Sequence, residues 1–149
     1  MIAAGAKIII IPTFWTDGDC KYSGTLEYAF ILTIAHDLKN RCVWVLTSHT
    51  GSEKGLRINP QAERLFLSST VVSRTFENTC AVVFCNAGGP KGATKPGTYC
   101  GMSQVAVPFA GSLGTMGEEE EMRVYELDMQ ILEDAEENYK VREDIGTEG

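Results

Sequence analysis

Ser73-Arg-Thr-Phe-Glu-Asn78, Cys80-Ala-Val-Val-Phe-Cys85, Asn86-Ala-Gly-Gly-Pro90 and Tyr99-Cys-Gly-Met-Ser-Gln-Val-Ala-Val-Pro-Phe-Ala-Gly111 are the segments on which the fold turns. Apolar residues at helical intervals precede and enter the first of them. Leu65, Val72 and Phe76 lie near one face, with Ala62 and Leu67 flanking it, so a helix is expected over 59–78 with Pro60 in its first turn. Thr79 to Phe84 then changes to strand composition, and the Asn86–Pro90 cluster breaks it. A second strand is expected over Gly101–Pro108, a turn over Phe109–Ser112, and a strand with alternating faces over Met122–Leu127.

Upstream, Lys7-Ile-Ile-Ile-Ile-Pro12 is a β-branched run without polar alternation. Such a run fits a strand covered on both faces of a layered α/β sheet, ended by Pro12. Ile2-Ala-Ala-Gly-Ala6 reads as the last turn of a helix with Gly5 at a left-handed cap, so Met1 is read as an internal methionine. The fold class expected from these patterns is α/β.

Composition narrows the function classes. With 149 residues and 44% hydrophobic content, the chain is long enough to bury a core as one domain or part of one. Its net charge of -7 is concentrated at Glu118–Glu121 and in an acidic C-terminal tail over 129–149 with helical potential, which argues against nucleic acid as a partner. No window reaches the ~18 apolar residues of a membrane helix; the longest apolar stretch, Tyr28–Ala35, is interrupted by Thr33. No basic leader with a cleavage pattern is present at the start. Five irregularly spaced cysteines fit reduced thiols in the cytoplasm better than a disulfide framework.

The order of these motifs resembles the C-terminal half of the carbon-nitrogen hydrolase family, the nitrilase superfamily. Members carry a helix ending in R-A-x-E-N before a buried strand, and Arg74-Thr75-Phe76-Glu77-Asn78 matches with Thr75 in place of Ala. The family then has N-x-x-G, a variable loop, a G-x-S strand and P-x-G. Asn86, Gly89, Gly101, Ser103, Pro108 and Gly111 fill those positions, and Val124–Asp128 resembles the edge strand that follows. Gly5–Pro12 resembles the strand after the family's nucleophile, with Thr13-Phe14-Trp15 on the loop beside the pocket. Each motif is weak alone; their order and spacing are specific. The resemblance implies a partial α-β-β-α sandwich, with 1–149 an incomplete domain of that family.

It also implies a chemistry: a Cys nucleophile attacks a nitrile or amide carbon to give a thioester, a Glu acts as base, and a Lys stabilises the tetrahedral intermediate. In the family all three residues come from sequence ahead of the positions matched here. No catalytic residue is therefore assigned, no metal or cofactor is expected, and the isolated chain is expected to be inactive. Thr13, Trp15 and Asn86 are the substrate-pocket candidates, because they follow buried strands at the ends where open α/β sheets present ligand contacts. Arg74, Glu77, Asn78, Gly89, Gly101 and Ser103 are assigned structural roles, Glu77 through an ion pair with Arg74 three residues away. The alternative is a non-catalytic interaction protein whose strand edges pair with a second copy or with an intact paralogue.

No cysteine reads as a substitute nucleophile. Cys85 sits at a strand-to-turn corner but has no motif-supported base beside it, so a buried structural thiol is expected. Cys80, five residues earlier on the same strand, should face the opposite side. Cys100 is expected to pack, and the carboxylates of Asp17 and Asp19 should raise the thiol pKa of Cys20. Gly88-Gly89 lacks the spacing of a phosphate-binding loop and reads as a tight turn.

One segment departs from the family. Members pass from a sequence like P-T-F-W-T-x-x-D-C-S directly to one like G-L-x-x-N-P, whereas this chain interposes Lys21–Gly51, with Trp44, Tyr22, Tyr28 and both histidines, His36 and His49. Cys20-Lys21-Tyr22 can be encoded TGT-AAG-TAT, the consensus start of an intron; Leu46-Thr47 can encode a branch point, and Thr50-Gly51 a terminal CAG. Residues 21–51 are therefore read as an atypical insert, a translated unspliced intron, in which Glu27–Asn40 could form a short amphipathic helix without a docking surface. Genomic DNA lacking GT and AG at those junctions would overturn that reading.

Overall fold

The computed structural model describes residues 5–16, 32–37, 42–50, 53–88 and 99–141. Nine elements follow in chain order: β1 (Ile8–Thr16), β2 (Leu32–Asp37), β3 (Cys42–Thr50), α1 (Glu53–Ile58), α2 (Ala62–Asn78), β4 (Ala81–Asn86), β5 (Gln104–Val107), β6 (Gly111–Thr115) and α3 (Gln130–Tyr139). The strands lie in the order β2-β3-β1-β4-β5-β6. β1 is parallel to both β3 and β4, and the other neighbours are antiparallel. Within this sheet the four strands β1-β4-β5-β6, mixed in direction, carry the two longer helices α2 and α3, so the chain has mixed α/β content.

α2 forms where the periodicity places a helix, with its buried stripe displaced from the expected one. Glu63, Leu67, Val71 and Thr75 are buried at i, i+4 steps, while Leu65 and Phe66 are exposed. A stripe with four-residue steps presents one ridge to the sheet, and Leu65 falls off it. Leu67 and Val71 pack with Val82, Phe84, Ala106, Cys80 and Cys100, joined by Ile9 and Ile11 of β1. Each fully buried aliphatic side chain of this kind contributes about 1.5–3 kcal/mol. Thr75, standing where the resemblance has Ala, is buried with its Oγ1 donating to the Val72 carbonyl at 2.8 Å. Pro60 lies in the turn before the helix, where Asn59 Oδ1 accepts from the Gln61 amide at 2.9 Å.

The helix ends on a left-handed residue that is not glycine. Thr79 has φ 46°, its amide reaches Phe76 O, and the Cys80 amide reaches Thr75 O. This conformation costs a β-branched residue energy. The buried Thr79 hydroxyl is held by Glu136 Oε2 of α3, so one contact fixes the cap and seats the second helix. α3 lies on the other face of the sheet, where Leu132 packs with Ala81 and Val107, and Ile8, Leu127 and Ile131 complete the cluster. The helical potential of the acidic tail is thus realised over Gln130–Tyr139.

Several expectations fail, each for a physical reason. β1 runs past Pro12 to Thr16. Lys7 O and Thr13 O accept from the Ala81 and Ala87 amides, and alternate residues of a parallel strand face alternate neighbours, so odd residues address β4 and even ones β3. Pro12 therefore turns its missing N–H toward β3, and the partner series with β3 skips from Ile10 to Thr13 while that with β4 continues. Nor is β1 buried on both faces; Ile8–Pro12 are half-buried, because α3 covers only one end of its far side.

The strands expected at Met122–Leu127 and Val124–Asp128 do not form. Their alternation survives in an unpaired extended segment, Val124 and Glu126 outward, Tyr125 and Leu127 half-buried, with Tyr125 Oη donating to Gly114 O at 3.1 Å. Within the insert, residues 32–37 are strand β2, which contradicts the helix placed over Glu27–Asn40, and β3 finds a docking surface in the edge of β1. Gly5 adopts φ +84°, as a left-handed cap requires; the helix assigned ahead of it lies outside the described residues.

Candidate functional site

β1 and β4 run parallel in register Pro12↔Cys85 and Thr13↔Asn86, so two of the pocket candidates meet at the C-terminal ends of adjacent strands. Thr13, 3% exposed, donates its hydroxyl to Asn86 Oδ1 at 2.8 Å. Asn86 Nδ2 donates to Gly101 O at 2.8 Å and to Cys100 Sγ at 3.3 Å. The Asn86 amide donates to Ser103 Oγ at 2.9 Å, and the Ser103 hydroxyl donates back to Asn86 O at 3.0 Å. Asn86 is thereby committed on both halves of its carboxamide and on both its backbone groups. Its chemistry here is tying: it joins β1, β4 and the approach to β5 where the sheet would otherwise splay.

Gly101 is required at this knot. It has φ +61°, and a Cβ there would stand 2.0 Å from the Gly117 carbonyl oxygen. Trp15 sits two residues beyond Thr13 on β1, opposite His49 of β3, and is not brought to Asn86 by this register. Gly89 lies outside the described residues.

The Arg74 and Glu77 side chains form the expected ion pair on the exposed end of α2. Glu77 Oε1 also accepts from Ser73 Oγ at 2.9 Å, and Asn78 Nδ2 donates to Arg74 O at 2.8 Å. The Ser73 hydroxyl above all holds the Glu77 carboxyl below the ordinary carboxylate value; desolvation opposes it, and the hydrogen bond and charge of Arg74 add to the lowering. All three side chains serve the helix terminus and none faces a cavity.

Two concavities remain. The larger, about 470 Å³, is an open cleft between the start of β1 and α3, lined by Lys7, Glu133, Glu136, Glu137 and Lys140. Opposite charges line it, with no thiol among the described lining residues. The smaller, about 250 Å³, lies on the sheet face away from α2 and includes Val83, Cys85, Val105, Arg123 and Tyr125. We take the smaller as the better candidate for chemistry, because a thiol, that of Cys85, lines it.

That thiol was expected to be buried and is exposed, since β4 alternates and the face bearing Cys85 is left uncovered beyond α3. Cys80 is buried on the opposite side, as five-residue spacing on a strand requires. Desolvation pushes the Cys85 thiol pKa up, away from an activated thiolate. Among the described residues that line the groove none is a carboxylate or a histidine, and Arg123 is already engaged by Glu121. Among the described residues no cluster of His, Cys, Asp or Glu could hold a metal ion, and no helix is long and apolar enough to cross a membrane.

Gln104 escaped the sequence reading. It is 2% exposed, and neither Oε1 nor Nε2 has a hydrogen-bond partner. Its signal was present: a carboxamide opening the otherwise apolar strand Gln-Val-Ala-Val. The Arg64–Glu118 ion pair, which straps the segment after β6 to α2, carried no motif at all.

No family model matches the chain, and neither does any curated protein or solved structure.

Proposed function

We propose that this chain is a scaffold half of a carbon-nitrogen hydrolase domain, of the family that hydrolyses nitriles or amides through a Cys thioester, and that by itself it has no turnover. The observation that supports the reading is the Asn86 knot. Asn86, at the end of β4, is bonded to both Gly101 and Ser103, two further motif positions that lie further along the chain. On this reading the sheet corresponds to one sheet of an α-β-β-α sandwich, and Thr13 and Asn86 shape a pocket wall from behind.

The described thiols support inactivity. Cys80 and Cys100 are buried, and Cys85 is held toward its neutral form with no base among the described residues of its groove. A thiol in that state lacks the activation that thioester chemistry needs.

The test is ammonia release from a panel of aliphatic and aromatic nitriles and primary amides, with intact-mass detection of an acyl adduct. No ammonia and no adduct are expected. Turnover abolished by a single Cys→Ala substitution would overturn the inactive reading.

A further inference from the structure

Thr16, the last residue of β1, and Thr50, the last of β3, are register partners. Neighbouring strands lie about 4.8 Å apart, so the chain leaves the sheet at Thr16 and returns at Thr50 beside its point of departure. Everything between is a closed excursion. β2 pairs with β3 alone, and β3 pairs with β2 and with the outer edge of β1. Leu67, Val71, Val82, Phe84 and Ala106 pack together on one face of the rest of the sheet, and Ala81, Val107 and Leu132 on the other.

The edge so covered has a definite character. Even-numbered residues of β1 address it, because Lys7 O and Thr13 O accept from the β4 side. Ile8 and Ile10 therefore present their N–H and C=O groups outward from an apolar strand, and Pro12 interrupts the series. Uncovered, Ile8–Ile10 is an open strand edge of the kind that recruits another strand. It is also self-complementary. Two copies related by a twofold axis at Ile9 place Ile8 of one opposite Ile10 of the other in antiparallel register, with no like charges in apposition.

We propose that residues 21–51 are a removable edge cover: the β1-β4-β5-β6 sheet and its helices fold without them, and their effect is to occupy the β1 edge that otherwise pairs with the β1 edge of a second copy. The inference rests on the register of β1 and stands apart from the hydrolase reading.

Two shortened forms test it beside the full-length chain: one joining Cys20 to Ser52, the other replacing 21–51 by a Gly/Ser linker of equal length, which removes any closure strain. Circular dichroism and light scattering after size exclusion are the readouts. We expect both forms to retain cooperative unfolding and to show about twice the monomer mass, while the full-length chain is monomeric. Ile10→Pro or Ile8→Pro in the shortened forms removes an outward N–H without touching the β4 ladder, and either should restore the monomer mass with the fold intact. Loss of cooperative unfolding in both shortened forms would overturn the proposal. So would a folded shortened monomer, a dimer insensitive to both proline variants, or a full-length chain that is already dimeric.

Discussion

The hydroxyl of Thr13 donates to Asn86 Oδ1 at 2.8 Å, a bond between residues that are neighbours in the β1–β4 register and far apart in sequence. Because Asn86 also holds Gly101 O through Nδ2, its side chain couples two strands to the approach of a third. Removing it strands more than one group.

Asn86→Ala is accordingly expected to destabilise the fold by about 2–3 kcal/mol, the cost of leaving buried hydrogen-bonding groups unpaired. At this chain length that lowers the thermal midpoint by roughly 4–10 °C. Thr13→Val keeps the shape and loses one donor, so about 1 kcal/mol is expected. In a double-mutant cycle followed by thermal unfolding the two changes should be clearly non-additive, since they share a bond. Additive losses would show that the bond is not formed in solution.

The Glu77 carboxyl gives a prediction in pH. Its folded-state pKa is lowered, chiefly by the Ser73 hydroxyl and next by Arg74. The folded chain therefore binds this proton less tightly than the unfolded one. Whatever stability results is present above the ordinary carboxylate pKa and is lost as pH falls through the folded-state value. The side chain is exposed, so the clean readout is the site itself. Carboxyl-carbon NMR titration should give a Glu77 midpoint below that of an ordinary glutamate, and Ser73→Ala and Arg74→Met should each raise it.

Much of this architecture was legible because its signals are local. The 3.6-residue pattern before Asn78, the β-branched run after Lys7 and the strand composition of Thr79–Phe84 each declare an element without reference to a partner. β6 was not legible: Gly111-Ser-Leu-Gly-Thr115 has no strand propensity and is extended because β5 pairs with it. The converse holds at Met122–Leu127, which has the alternation of a strand and no ladder partner. Asn86 was visible as an important position; its role as a tie depends on where Thr13, Gly101 and Ser103 lie in space, which no spacing rule conveys.

Thiol chemistry separates the cysteines. Cys85 is exposed, whereas Cys80 and Cys100 are 0% exposed. Mass-resolved alkylation of the native chain should modify Cys85 and leave Cys80 and Cys100 until the chain is denatured. Because partial desolvation by its neighbours raises the pKa of the otherwise accessible Cys85 thiol, its rate at neutral pH should fall below that of a free thiol and climb at alkaline pH. Labelling of Cys85 at neutral pH faster than a free thiol would reveal an activating group absent from the groove described above.

Gln104 offers the one substitution expected to stabilise the chain. It lies opposite Phe84 in the β4–β5 register, on the face that packs with Val82 and Ala106 against α2, and its carboxamide has no partner on either atom. A buried amide in that position costs about 1–3 kcal/mol relative to an apolar group of the same shape. Methionine has nearly the same length and volume and adapts readily to irregular space. Gln104→Met should therefore raise the denaturant midpoint by an amount equivalent to about 1–3 kcal/mol with the transition slope unchanged. Gln104→Glu, which keeps the shape and adds a charge that burial disfavours, should lower it. A fall in the midpoint for Gln104→Met would mean that the carboxamide is hydrogen-bonded in solution, most simply by an internal water between α2 and the sheet.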